Sequence, residues 1–217
     1  GITWTTRTLP SSSAWQSITY GNGILAAVAS STTAAAYSLD GITWTASTMP
    51  SAASWNSVTY GNGMFVATAN TTSAASSPDG ITWTARTLPS SGAWLSATYG
   101  NGVFVTVSQN TAASASSTNG TTWTARTLPS SSDWRSVAYG NGAFVAVARS
   151  TTAAATSPDG VTWTARTMPS AATWILVAYG NGTFVAITQS GTGAATSPDG
   201  ITWTTQTLPA SASWQSI

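Results

Sequence analysis

The chain has 217 residues, only 5% of them charged, and a formal net charge of +1 from six Arg and five Asp. Lys, Glu, His and Cys are absent, which excludes a disulfide framework, a thiolate metal site and most side chains that move protons or act as nucleophiles. No apolar run reaches the ~18–20 residues of a membrane helix, and the scattered Arg make no phosphate-binding stripe, so neither membrane insertion nor nucleic-acid binding is expected.

Twelve Trp stand in a background of Ser, Thr, Ala and Gly. Each buried indole can remove ~150–250 Å² from water, enough to anchor a core in a chain otherwise poor in large side chains. The sequence opens at Gly1 inside a repeat, and is expected to be an excerpt of a longer chain.

The first predicted element is a short strand over Thr3 to Thr8. It is one copy of a pattern, Gly-[Ile/Val/Thr]-Thr-Trp-Thr, that recurs at Gly1, Gly41, Gly80, Gly120, Gly160 and Gly200, at spacings of 40, 39, 40, 40 and 40. The whole chain, 1–217, therefore reads as one tandem-repeat domain with repeats 1–40, 41–79, 80–119, 120–159, 160–199 and a partial copy, 200–217.

The repeat that begins at Trp134 shows the elements in order. Trp134 to Tyr139 is a short strand, A. Gly140-Asn141-Gly142 follows, and Asn-Gly is a strong signal for a two-residue hairpin. Ala143 to Val147 is the return strand, B. Arg149 to Thr152 is a polar connection, and Ala153 to Ser157 is a small-residue strand, C. Pro158-Asp159-Gly160 is a second tight turn. Val161 to Arg166 is strand D, rich in the β-branched and aromatic residues that suit a pleated surface. A Leu/Met-Pro step and a Ser/Ala-rich loop lead to the next Trp.

Four short antiparallel strands in ~40 residues are the signature of a propeller blade. The expected fold is an all-β propeller of four-stranded antiparallel blades, with five blades as first choice. A β-solenoid would need parallel strands, which Asn-Gly and Asp-Gly hairpins disfavour. A membrane barrel would need strands of ~9–11 residues. The chain ends on the start of another strand A, Trp214 to Ile217. The D strand at Thr3–Thr8 is placed to close the last blade instead of Thr202–Thr207. The surplus terminal strands are a route to self-association.

Candidate site residues fall into three sets. Asp40, Asp79, Asn119, Asp159 and Asp199 occupy the C–D turn, where a side-chain oxygen accepts backbone N–H bonds and holds the turn. Asn119 cannot act as a base, which favours a structural role for the whole set. Trp15, Trp55, Trp94, Trp134, Trp174 and Trp214 open strand A beside the D–A loop. Core packing is the plain reading, and stacking on the apolar face of a sugar is the functional one. Off-pattern residues gather on the face expected to carry the D–A and B–C loops: Asn70, Gln109, Asn110, Arg149 and Gln189, with Asp133 and Arg135 flanking Trp134. Loop variation on a rigid scaffold is where binding usually resides. Against it stands a surface ion pair of little energetic weight. Arg7, Arg86, Arg126 and Arg166 share a position on strand D, expected to be solvated with the stem over a neighbouring Trp.

Ser157-Pro158-Asp159-Gly160-Val161-Thr162-Trp163 resembles the Asp-box (BNR) repeat of sialidase-type propellers, which lies in the turn between the third and fourth strands of a blade. The pattern recurs at Ser38-Asp40-Gly41-Trp44, Ser77-Asp79-Gly80-Trp83 and Ser197-Asp199-Gly200-Trp203, and with Asn at Ser117-Asn119-Gly120-Trp123. Asp and Gly are adjacent here, where the usual motif has one residue between them. Tyr-Gly-Asn-Gly-x-Phe-Val-Ala-Val is similar to repeats of bacterial and phage surface proteins. Sialidase activity, by the same resemblance, needs an Arg triad, a Tyr activated by Glu, and a free Asp; Glu is absent and Asp133 is the one acid outside the turns.

The functional expectation is a non-catalytic, lectin-like module or adhesin that binds cell-surface glycans, secreted, surface-displayed or virion-associated, with no cofactor and no metal. The other class is a structural repeat scaffold or assembly unit, such as a phage-tail component or an engineered repeat protein, without a small ligand. Far-UV circular dichroism should show β structure with aromatic contributions, and appreciable helix would end the propeller reading.

Overall fold

The computed structural model describes residues 3–215; Gly1, Ile2, Ser216 and Ile217, with part of the expected closing strand A, lie outside the described residues. The chain is an all-β propeller built from antiparallel strands. The first sheet is β1 (Ala14–Gly21), β2 (Ile24–Ser30), β3 (Thr32–Ser38) and β4 (Thr45–Ala53). The last is β14 (Trp174–Gly180), β15 (Thr183–Thr188), β16 (Ser190–Ser197) and β17 (Thr204–Ser213).

Between them runs a nine-stranded sheet. It holds β5 (Trp55–Gly61), β6 (Met64–Ser77), β7 (Thr84–Gly100), β8 (Val103–Gln109), β9 (Thr111–Ser117), β10 (Thr124–Gly140), β11 (Ala143–Arg149), β12 (Thr151–Ser157) and β13 (Thr164–Ala172). Its size arises from strands that run through two repeats without a break. β7 pairs with β6 up to Ala93 as a strand D, and with β8 from Ala93 onward as a strand A. β10 does the same between β9 and β11. The D–A connection is thus partly strand, where the sequence suggested a loop.

Local turn chemistry behaves as the residue types require. In the A–B hairpins both central residues have positive φ, for example Asn22 at 50° with Gly23 at 78°, and Asn141 at 46° with Gly142 at 77°. That is the type I′ requirement that Asn-Gly meets. The surplus strand D expected over Thr3–Thr8 is not formed, and the last sheet is completed by its own C-terminal copy, β17. β17 follows β16 through a tight turn, so this pairing closes a much shorter loop than one reaching back to the N-terminus.

Consecutive repeats meet through their A strands and through four apolar clusters. One cluster joins Ala26, Val28, Ala35 and Met49 of the first sheet to Trp55, Val58 and Phe65 of β5 and β6 and to Trp83. Of the strand-D indoles, Trp83, Trp123 and Trp203 are buried between repeats, Trp44 and Trp163 are partly buried, and Trp4 is exposed.

The strand-A indoles are buried more deeply. Trp55, Trp94 and Trp134 have no exposed surface and Trp174 has 2%. Each is held by its own approach loop: Trp55, Trp134 and Trp174 donate Nε1–H to the carbonyls of Ser51, Ser130 and Ser170, at 3.0–3.1 Å. The reading of Trp55, Trp94, Trp134 and Trp174 as sugar-stacking rings is corrected here. The apolar faces are covered by the preceding repeat and the polar edge is already satisfied. Trp134→Ala should therefore cost about 3–5 kcal/mol, the range for removing a buried aromatic. Urea unfolding measures this, and a loss below about 1 kcal/mol would mean the ring is not core.

Candidate functional site

Strand A carries the one position that changes in every repeat between neighbours that hardly change. The sequence reads Trp15-Gln16-Ser17, Trp55-Asn56-Ser57, Trp94-Leu95-Ser96, Trp134-Arg135-Ser136 and Trp174-Ile175-Leu176. The ladder explains why this position is free to vary. Trp15 pairs with Ala29 and Ser17 with Val28, so Gln16 has no partner and forms a β-bulge. The same slip leaves out Asn56, Leu95, Arg135 and Ile175. A bulge bends the strand and re-aims one side chain.

All these bulge residues line one cavity of roughly 700 Å³, together with the serine or leucine that follows each. Because every repeat contributes its strand A, the cavity lies where the A strands converge, at the propeller axis. It extends onto Trp15, Ile18 and Ala27 of the first sheet, onto Trp44, and onto Arg7 and Leu9 of the N-terminal segment.

The serines are not free to bind a ligand. Ser17, Ser57, Ser96 and Ser136 accept the backbone N–H of Val58, Ala97, Val137 and Val177 in the following repeat, at 3.0–3.1 Å. They fix the spacing of the A strands around the axis, and the bulge residues supply the chemistry. Asn56 donates to Asn70 Oδ1 and to the Trp94 carbonyl, both at 3.0 Å, which steadies its amide. Arg135 pairs with Asp133 through Nε–Oδ1 and Nη2–Oδ2, both 2.8 Å, with the two side chains about one-fifth exposed. The ion pair and its Nη2–H bond hold the guanidinium beside Asp133. Leu95, Ile175 and Leu176 add apolar surface to the lining.

Of the residues singled out by sequence, Arg7, Arg135 and Trp15 reach this cavity. Asp133 stands behind Arg135 as its partner, and Asn70 behind Asn56. Gln109, Asn110, Arg149 and Gln189 are not among the lining residues; they sit at or beside B–C turns. Arg149 faces Asp133 across the β10–β11 ladder, yet the ion pair is made by Arg135. The loop-face residues thus do not converge on this cavity, which is lined by the bulge residues instead. Gln16, Asn56, Leu95 and Ile175 were not singled out, although their variation between a constant Trp and a nearly constant Ser was visible.

The C–D turns are structural, as their composition suggested. Asp40 Oδ1 accepts from the N–H of Ile42 and Thr43 at 2.7 and 2.8 Å, and Ser38 donates its hydroxyl to the same oxygen. Asn119 makes the same set with Thr121, Thr122 and Ser117. Arg86, Arg126 and Arg166 are partly buried and bonded across to strand C, as Arg86 Nε to Ser76 Oγ at 2.8 Å, whereas Arg7 is exposed and lines the cavity. Among the described residues no three of His, Cys, Asp and Glu converge as metal ligands.

The N–H groups of Thr43 and Ile42 hold the Asp40 carboxyl at about 2, below its ordinary 3.8. Asp159 and Asp199 are lowered by the equivalent bonds. A carboxyl depressed in the folded state stabilises fully above its unfolded value and loses that contribution as pH falls through the folded one. The melting temperature should hold from neutral pH to about 4 and then drop toward pH 2. A flat profile down to pH 2 would mean that the turn bonds do not favour the carboxylate.

A family description, the DUF6242 beta propeller domain, matches residues 96–214. Among solved structures, virginiamycin B lyase from Staphylococcus aureus superposes with a TM-score of 0.82 at 16% identity, over 93% of this chain and 72% of that one. YCF48 bound to D1 peptide gives 0.69 at 17%, over 90% and 67%. A computationally designed protein, Ika8, gives 0.72 at 10%, over 94% and 65%. No curated protein sequence matches the chain.

Proposed function

The chain belongs to the DUF6242 beta propeller domain family, and on that premise we propose that it is a non-catalytic module that binds carbohydrate in its axial cleft. The observation that carries this reading is the convergence of the bulge side chains. A scaffold that is otherwise repetitive places its variable residues, two amides, one guanidinium and two aliphatic groups, around a single cavity. Amide and guanidinium donors beside an apolar wall suit the hydroxyls and C–H faces of a neutral sugar.

We read the recurring four-strand unit as five blades. The Ser-x-Asp-Gly turn is, in this proposal, a shortened Asp-box that serves the scaffold and not the ligand. A surface location, on a cell or a virion, is part of the same proposal, since a glycan adhesin works there.

The absence of catalysis rests on side-chain chemistry. One of the superposed lyases is catalytically inactive once a histidine is replaced by alanine, and this chain has no His at all. Its one acid near the cavity, Asp133, is committed to Arg135, so no pair of carboxyl groups stands ready for glycoside cleavage.

A structural or assembly role is the second reading. It is favoured by the burial of the strand-A indoles, which removes one source of sugar-stacking surface. A glycan array with the folded chain, run at two salt concentrations, separates the two. Salt-insensitive binding to a defined set of sugars is expected. Arg135→Ala and Asn56→Ala should each weaken it by about tenfold, the loss for one or two hydrogen bonds. A blank array on protein of native circular dichroism would leave the assembly reading.

A further inference from the structure

Three charged side chains fall on one strand pair in the middle of the chain: Asp133 and Arg135 on β10, and Arg149 at the end of β11. No other repeat carries a charge at these places. The bulge position and the last residue of strand B are elsewhere Gln16 with Ser30, Asn56 with Asn70, Leu95 with Gln109, and Ile175 with Gln189.

The repeat that holds Asn56 and Asn70 shows how near these two positions stand. Asn56 lines the cavity, and its Nδ2–H reaches Asn70 Oδ1 directly behind it at 3.0 Å. Where Arg135 and Arg149 stand, both places hold a guanidinium. Arg149 pairs across the ladder with Asp133, and such partners share a face of the sheet with Cβ atoms about 4.5–5.5 Å apart. Asp133 nevertheless turns both oxygens to Arg135, at 2.8 Å each. The other four acids lie in the C–D turns, at the far end of the strands, where Phe144 and not Arg149 pairs with Ser157. Arg149 is therefore one positive charge left over in the cluster. It is partly buried, and its Nε is shielded from solvent with no acceptor among the described residues. A guanidinium withdrawn from water without an acceptor is unfavourable, and an arriving oxyanion would relieve this through charge-assisted hydrogen bonds.

We infer that Arg149 and Arg135 form an oxyanion subsite at the edge of the axial cavity, which takes a carboxylate or sulfate group carried by the glycan. That the ligand is a glycan rests on the carbohydrate reading of the cavity; the preference for an oxyanion rests on the two guanidiniums alone. Arg135 reaches the cavity and is held by Asp133, while Arg149 supplies the uncompensated charge. A glycan with a neutral residue in the cavity and an acidic one beside it uses both parts. The gain from the acidic residue is electrostatic and falls as salt rises, whereas binding of the neutral residue does not.

Methyl glucuronide and methyl glucoside, titrated into the isotope-labelled full chain, test this by NMR, since each arginine gives its own Nε–H signal. The glucuronide should move the Arg149 and Arg135 signals and bind at least about tenfold more tightly than the glucoside, the size of one charge-assisted hydrogen bond. Arg149→Gln should abolish that advantage and leave the affinity for the glucoside unchanged. Gln already stands at the equivalent positions 109 and 189, so the scaffold accepts it. A sulfated glucoside run beside them tells a carboxylate ligand from a sulfate ester, and tighter binding of either one supports the subsite. Equal binding of charged and neutral sugars overturns it. So does an advantage that survives Arg149→Gln, or one that moves the Arg7 signal and not that of Arg149. If no sugar binds, the carbohydrate reading of the cavity fails and inorganic sulfate decides the subsite. A sulfate-induced shift of Arg135 that is lost in Arg149→Gln upholds it, and unmoved signals overturn it.

Discussion

The tightest constraint in this molecule is the contact of a tyrosine ring with the glycine that ends strand A of the preceding repeat. An added Cβ at Gly21, Gly61, Gly100 or Gly140 would overlap that ring outright. Glycine is required there by close approach and not by backbone conformation, since none of these residues has positive φ. The approach sets how near one strand A comes to the next. At that separation the serine hydroxyl reaches the neighbouring N–H, and the Tyr ring tilts on its own Phe, as Tyr139 does on Phe144 at 4.7 Å between centroids. The apolar clusters then close with Trp and Phe on one side and Val, Ala and Met or Leu on the other.

The same spacing produces the cavity. Strands β5, β7 and β10 are each anchored by a caged indole, Trp55, Trp94 or Trp134, and, further along, by the bond of Ser57, Ser96 or Ser136. The residue between them is bulged out of the ladder, where it makes no pair. Substitution there costs the scaffold little, so side chains as different as Gln16, Leu95 and Arg135 occupy equivalent places. Function and framework are thus separated by a single residue step along one strand.

The charged residues divide in the same way. The turn carboxylates are spent on backbone N–H groups, and an amide at Asn119 does the same work. Arg86, Arg126 and Arg166 are spent on strand-C hydroxyls. Arg135 alone among the bulge residues brings a formal charge to the axis, and Asp133 neutralises it. The Arg135 charge is thus matched, while Arg7 brings a second guanidinium to the same cavity.

What the sequence determined by itself was the repeat, the antiparallel four-strand unit and both kinds of turn. These depend on residues a few positions apart: Asn141-Gly142 can adopt two positive φ values, and Asp159 can reach the N–H of Val161 and Thr162. Only the tertiary structure decided the rest. The burial of Trp134 depends on what the preceding repeat lays over it, and no local pattern distinguishes a caged indole from an exposed one. The aim of Gln16 and Asn56 toward the axis depends on a register slip between strands, which leaves no mark on composition. The strand expected at Thr3–Thr8 has the sequence of strand D but lacks a neighbour, because β17 already fills the edge of the last sheet. Propensity is carried by each segment; pairing and burial belong to whatever stands beside it.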